Sequence, residues 1–78
     1  LRTQRLLAPV TIELAPDEEM DVLTHIKVFE RNGFLLRFDD SSPPGRKVKM
    51  VGRPESKDTV FGEDDVRELL VLIRRSGS

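Results

Sequence analysis

The stretch "VTIELAPDEEMDVLTHIKVFERNGFLLRF", residues 10–38, changes its apolar period twice, and that change decides the fold. Over residues 10–14 apolar and polar side chains alternate, with Val10, Ile12 and Leu14 on one face and Thr11 and Glu13 on the other. Period two is the signature of a half-buried strand. At Pro16 the pattern becomes helical. Proline suits a first helical position, and Asp17, Glu18 and Glu19 place negative charge at the helix N-terminus. Val22, Leu23, Ile26 and Phe29, flanked by Met20, form one apolar stripe. Asn32-Gly33 ends it, because both residues tolerate the left-handed backbone of a helix C-cap. Alternation then returns: Phe34, Leu36 and Phe38 oppose Leu35, Arg37 and Asp39.

Downstream, "SSPPG" at 41–45 is a loop by its turn residues, and "RKVKMV" at 46–51 alternates again, with Val48 and Met50 opposing Lys47 and Lys49. Residues 52–62 read as irregular and polar. "EDDVRELLVLIRR" closes the chain as a helix with Val66, Leu69, Leu70 and Ile73 on one face. Its acids lie first and its arginines last, as the helix dipole favours. The order β-α-β-β-α predicts an α+β, two-layer sandwich: a three-stranded mixed sheet with two helices on one face. A right-handed crossover makes the first two strands parallel, with the third antiparallel, at the edge or between them.

The composition bounds the chemistry. Seventy-eight residues allow one small domain, with little surface to bury. Without cysteine there are no disulfides or thiolate metal sites. His25 is the only histidine, and its mid-helix place reads as a partly exposed helix residue. Asp39-Asp40 and residues 63–65 read more simply as a turn opened by Asp40 and a helix cap than as oxygen ligands for a cation. No nucleophile–base pair and no glycine-rich phosphate loop is found. No apolar run approaches the ~18 residues of a membrane span, and no secretory segment is present. The chain starts without methionine and ends in "SGS", which suggests an excised part of something larger, with a domain over 1–75 and a tail or linker at 76–78.

Two stretches invite partners. Basic residues concentrate at Arg46, Lys47, Lys49, Arg53 and Lys57, although the net charge is only −1. They suit weak contact with DNA phosphates, or else a solvated edge strand on which lysines discourage aggregation. The other is "QRLLAP", residues 4–9, which precedes any regular pattern. Leu6 or Leu7 could start a strand and enter the core, or the segment could plug a pocket on another protein.

Taken in order, "QRLLAP", "RNGF", "P-x-S-K" and "FG-x-x-DV-x-EL" resemble the C-terminal region of eukaryotic Pms-type MutL homologues, over residues 3–73. The resemblance implies the external, or regulatory, subdomain of the endonuclease subunit of MutL alpha, inserted in a dimerisation subdomain that binds the heterodimer partner. It also implies a β-α-β-β-α fold, a nuclear location and a role in DNA mismatch repair. The parent's divalent metal and ATP sites would lie outside this segment, leaving it catalytically silent and without cofactors. By the same likeness "QRLLAP" is a motif for a sliding clamp (proliferating cell nuclear antigen). Gln4 would bond at the pocket rim, Leu7 with Leu6 would fill the pocket, and Pro9 would keep the segment extended. Arg5 and Ala8 fall at permissive positions. The paired aromatics of the better-known eukaryotic clamp box are absent, so the affinity would be weak. The alternatives are a DNA-contacting module using the basic hairpin, or a structural insertion shaping the neighbouring nuclease site.

Overall fold

A computed structural model describes residues 2–76. Its elements in order are β1 (Thr3–Ile12), α1 (Pro16–Thr24), α2 (Ile26–Arg31), β2 (Leu35–Phe38), β3 (Val48–Pro54) and α3 (Glu63–Arg75). The strands form one sheet in the order β1-β3-β2. Of the two placements open to the third strand, the chain takes the central one. β1 and β2 both run antiparallel to β3, so they share a direction without pairing. Both ladders are antiparallel, so the sheet is antiparallel throughout and not the mixed sheet expected from sequence, because β3 lies between the two strands that share a direction.

The core follows the two periods. Along β3 burial alternates: Val48, Met50, Gly52 and Pro54 are buried, while Lys49, Val51 and Arg53 are half-buried on the other side. Ile12 and Leu14 at the end of the first strand, Val22 and Phe29 from the helical segment, Phe34, and Val66, Leu70 and Ile73 of α3 complete one cluster with Val48 and Met50. All the helices therefore cover the same sheet face. Leu69 and Ile26 of the expected stripes are half-buried, and Leu23 remains 39% exposed.

The segment expected as one helix is broken at His25, whose backbone (φ −109°, ψ 24°) leaves the helical region. Just before it, the Thr24 hydroxyl donates to the Met20 carbonyl at 2.9 Å. Such back-bonding competes with the helical ladder and bends helices. The stop is where the sequence placed it. Gly33 takes φ +89°, and the Phe34 N–H donates to the Phe29 carbonyl at 2.9 Å, closing the helix C-terminus. At the helix starts, the Glu18 carboxylate accepts the Ala15 N–H at 2.8 Å and the Asp65 carboxylate accepts the Gly62 N–H at 2.9 Å. Neither Ala15 nor Gly62 has a side chain that could return the bond, so each is half of a capping box.

The helices are also tied to each other. Arg74 near the end of α3 donates to Asp21 at 2.6 Å and Asp17 at 3.0 Å, both on α1. That hydrogen bond from Arg74 holds the Asp17 carboxyl below its ordinary value, and the two aspartates raise the arginine's. The loop between β2 and β3 is gathered by Glu19, which is 2% exposed and accepts the N–H groups of Gly45 at 3.0 Å and Lys47 at 2.8 Å. Its turn is opened by Asp39, not Asp40: the Asp39 carboxylate accepts from the backbone and hydroxyl of Ser41 and the hydroxyl of Ser42. The Ser41 and Ser42 hydroxyls, Ser41's first, hold the Asp39 carboxyl below its ordinary value. Of the expected tail, Ser76 caps α3 by donating to the Ile73 carbonyl at 2.7 Å, while Gly77 and Ser78 lie outside the described residues.

Candidate docking site

The first strand begins well before residue 10. Thr3, Gln4 and Arg5 pair with Pro54, Arg53 and Gly52, and Val10, Thr11 and Ile12 pair with Met50, Lys49 and Val48. Between these two runs, Leu6, Leu7, Ala8 and Pro9 face Val51 alone. The strand must therefore bow away from its neighbour, and the bow is the whole of "LLAP".

Local chemistry favours a bow at this point. Pro9 has no N–H to give a ladder, and proline in sheets is confined to edges and bulges. β1 is an edge strand, so the missing donor weakens only one side. A residue before proline is driven to extended backbone, which keeps Ala8, and with it the bow, stretched out. Within it the two leucines part company. Leu6 is half-buried and packs against the core, whereas Leu7 is 108% exposed, as open as the side chain can be. Ala8 and Pro9 are exposed as well. Gln4 is exposed in the paired run before the bow, its amide oxygen accepting from Arg53 Nε at 3.5 Å. The segment is thus part of the first strand, sending Leu6 inward and leaving Leu7 exposed on an extended bow. Leu6 is the pin that holds the bow.

The basic residues are divided by the fold. Arg46 pairs with Glu13 at 3.8 Å, and Lys47 Nζ lies 5.8 Å from the centre of the Phe38 ring. Lys49 Nζ donates to the Thr11 hydroxyl at 3.0 Å. Because β3 is the central strand, its lysines are not guards of an edge, and that reading is withdrawn. Arg37 on β2, opposite Lys49, joins the same side of the sheet.

Among the described residues no group of three or more His, Cys, Asp and Glu side chains stands where it could hold a metal ion. No described helix is long and apolar enough to cross a membrane.

A small two-layer α+β domain with an extended apolar bow on its edge strand is the class that this geometry defines. No family model and no solved structure matches the chain significantly. Its similarity to named proteins is nevertheless broad. It is 41% identical over 70 residues to the DNA mismatch repair protein PMS1 of Arabidopsis thaliana, a match that covers 90% of this chain and 8% of the relative. It is 40% identical over 76 residues to the DNA mismatch repair protein PMS1 of Saccharomyces cerevisiae, and 34% identical over 76 residues to the mismatch repair endonuclease PMS2 of Homo sapiens. Each of these two matches covers 97% of this chain and 9% of the relative. The chain belongs to the eukaryotic Pms-type MutL homologues, of whose length it spans less than a tenth.

Proposed function

We propose that this chain is the regulatory, external subdomain of a Pms-type mismatch repair protein, and that it does no chemistry of its own. It docks a sliding clamp of the proliferating cell nuclear antigen kind and so couples its parent's work to the clamp. The parent would be a nuclear, metal-dependent nicking endonuclease with an ATPase region, paired with a second MutL homologue. The observation that carries the reading is the bow at residues 6–9, with Leu7 wholly in water and Leu6 held by the core. Leu7 is the anchor for an apolar pocket, and Gln4 is the polar contact at its rim. Pro9 lowers the ordering cost by keeping the segment extended before it binds. Leu6, half-buried already, sets the geometry instead of filling the pocket. With one aliphatic anchor and no aromatic pair, the interface is small and transient.

Titration of the chain with purified clamp, followed by amide NMR, tests this. Shifts should centre on residues 4–9. Leu7→Ala removes about 1.5–3 kcal/mol of transfer free energy from the complex, a 10-fold or greater weakening, while the melting temperature of the free chain stays put. Gln4→Ala should weaken the complex by roughly 1 kcal/mol. No shifts with the wild-type chain, or a clamp affinity indifferent to Leu7→Ala, refutes the proposal.

A further inference from the structure

Helix α3 carries more apolar surface than the domain covers. Residues 69–73, LLVLI, are apolar without a break, so at helical spacing they reach all the way round the axis. The core takes Leu70 and Ile73, while Leu72 stays 55% exposed and Leu69 is only half-buried. These last two line a cleft of about 520 Å³ between α3 and the chain that follows β3. Phe34 and Phe61 line it as well, packed edge to face with ring centres 6.2 Å apart. A mostly apolar lining with a few polar groups is how binding clefts are built.

Charge at the rim points to the occupant. Glu55, Asp65 and Glu68 line the cleft, and no lysine, arginine or histidine does. Asp65 is turned to its own helix start, where it accepts the Gly62 N–H. Glu55 lies 3.9 Å from the exposed Arg2, a pair that water screens. Glu68 has no hydrogen bond or ion pair among the described residues. The backbone points to the occupant's shape. An extended peptide docks by pairing with a free strand edge, and this cleft has none. β3 is paired on both sides, Pro54 has no N–H, and the Glu55 N–H donates to the Arg2 carbonyl at 3.0 Å. A helix brings its backbone bonds with it. Asp65, Leu69 and Leu72 follow one another at i, i+4 and i+7, ~10 Å along α3, which is the spacing that a second helix matches.

We infer that this cleft docks a basic amphipathic helix of a partner protein, with its apolar stripe on Leu69, Leu72 and Phe61 and its lysines or arginines beside Glu68 and Glu55. The inference is independent of clamp docking, since no residue of the bow lines the cleft.

The probe is a labelled lysine–leucine peptide of about 18 residues, with leucines at i, i+3, i+4 and i+7, long enough to form a helix. Fluorescence anisotropy reads its binding to the chain, and circular dichroism reads the helix it gains. Two control peptides replace every lysine by glutamate, or interrupt the lysine peptide with a central proline that breaks a helix. The lysine peptide should bind and gain helicity, and neither control should. Leu72→Ser should weaken binding about tenfold or more, and Glu68→Gln by roughly two- to five-fold at low salt. Leu7→Ala should leave it unchanged. Thermal melts of the variants confirm that the fold is intact, as expected for substitutions at exposed side chains. No binding of the lysine peptide at low salt overturns the inference, as does equal binding of the glutamate peptide or binding that Leu72→Ser leaves unchanged. Equal binding of the proline-interrupted peptide overturns it because the partner would then be extended. Self-association of the chain that Leu72→Ser abolishes overturns it too, because the occupant would then be a second copy.

Discussion

Replacing Glu19 by glutamine should cost this domain a large part of its stability, although the change removes one charge and almost no volume. The carboxylate is 2% exposed and accepts two backbone N–H groups, from Gly45 and from Lys47, through its two oxygens. A glutamine side chain offers one oxygen and one NH2, so one of the two N–H groups must meet a donor. The loss is one hydrogen bond to a charged acceptor, about 1.5–3 kcal/mol, together with an unpaired donor in a half-buried loop. For a domain of this size about 1 kcal/mol moves the melting temperature by 4–8 °C, so ~2–3 kcal/mol predicts a fall of roughly 10–20 °C. The assay is a circular-dichroism melt beside Glu18→Gln, whose carboxylate accepts a single exposed N–H, from Ala15. Glu18→Gln should shift the transition by no more than a few degrees. If Glu19→Gln melts with the parent, Glu19 is not what holds the β2–β3 loop, and the argument from its two bonds fails.

Two further outcomes follow from the packing and the ion pairs. Leu70→Ala, at a buried position of α3, should cost about 2–5 kcal/mol, and Leu23→Ala, 39% exposed, less than about 1 kcal/mol; denaturant titration separates them, and equal losses would mean the stripe of the first helix was placed wrongly. The Asp17 carboxyl is held below its ordinary value of 3.8 chiefly by the hydrogen bond from Arg74. A depressed folded pKa contributes stability above the unfolded value and loses it as pH falls through the folded one. The parent should therefore lose stability below about pH 4, and Arg74→Gln should flatten that part of the pH–stability curve while lowering its plateau; an unchanged acid limb would show that the pair carries no linkage.

The sequence by itself determined what depends on neighbours a few residues away. The two changes of period in residues 10–38 fixed the order of strand and helix, since apolar spacing tells a chain which face to bury whatever it is buried against. Val22, Phe29, Val66, Leu70 and Ile73 were legible as core for that reason, and so was Gly33, where one residue must take a positive φ. "QRLLAP" was legible as a motif, but its state was not: strand and plug were both open, because whether four residues face one depends on the register against β3, some 45 positions along the chain. The same long-range pairing placed β3 in the centre, set Arg37 against Lys49, and left Arg46 to Glu13. Glu19 looked like one of three equivalent acids at a helix start, and only the return of the loop at Gly45 and Lys47 made it a buried acceptor. Local propensity is written into each segment. Register, burial of a polar group and the partner of a charge are properties of two segments at once, so the tertiary structure alone could decide them.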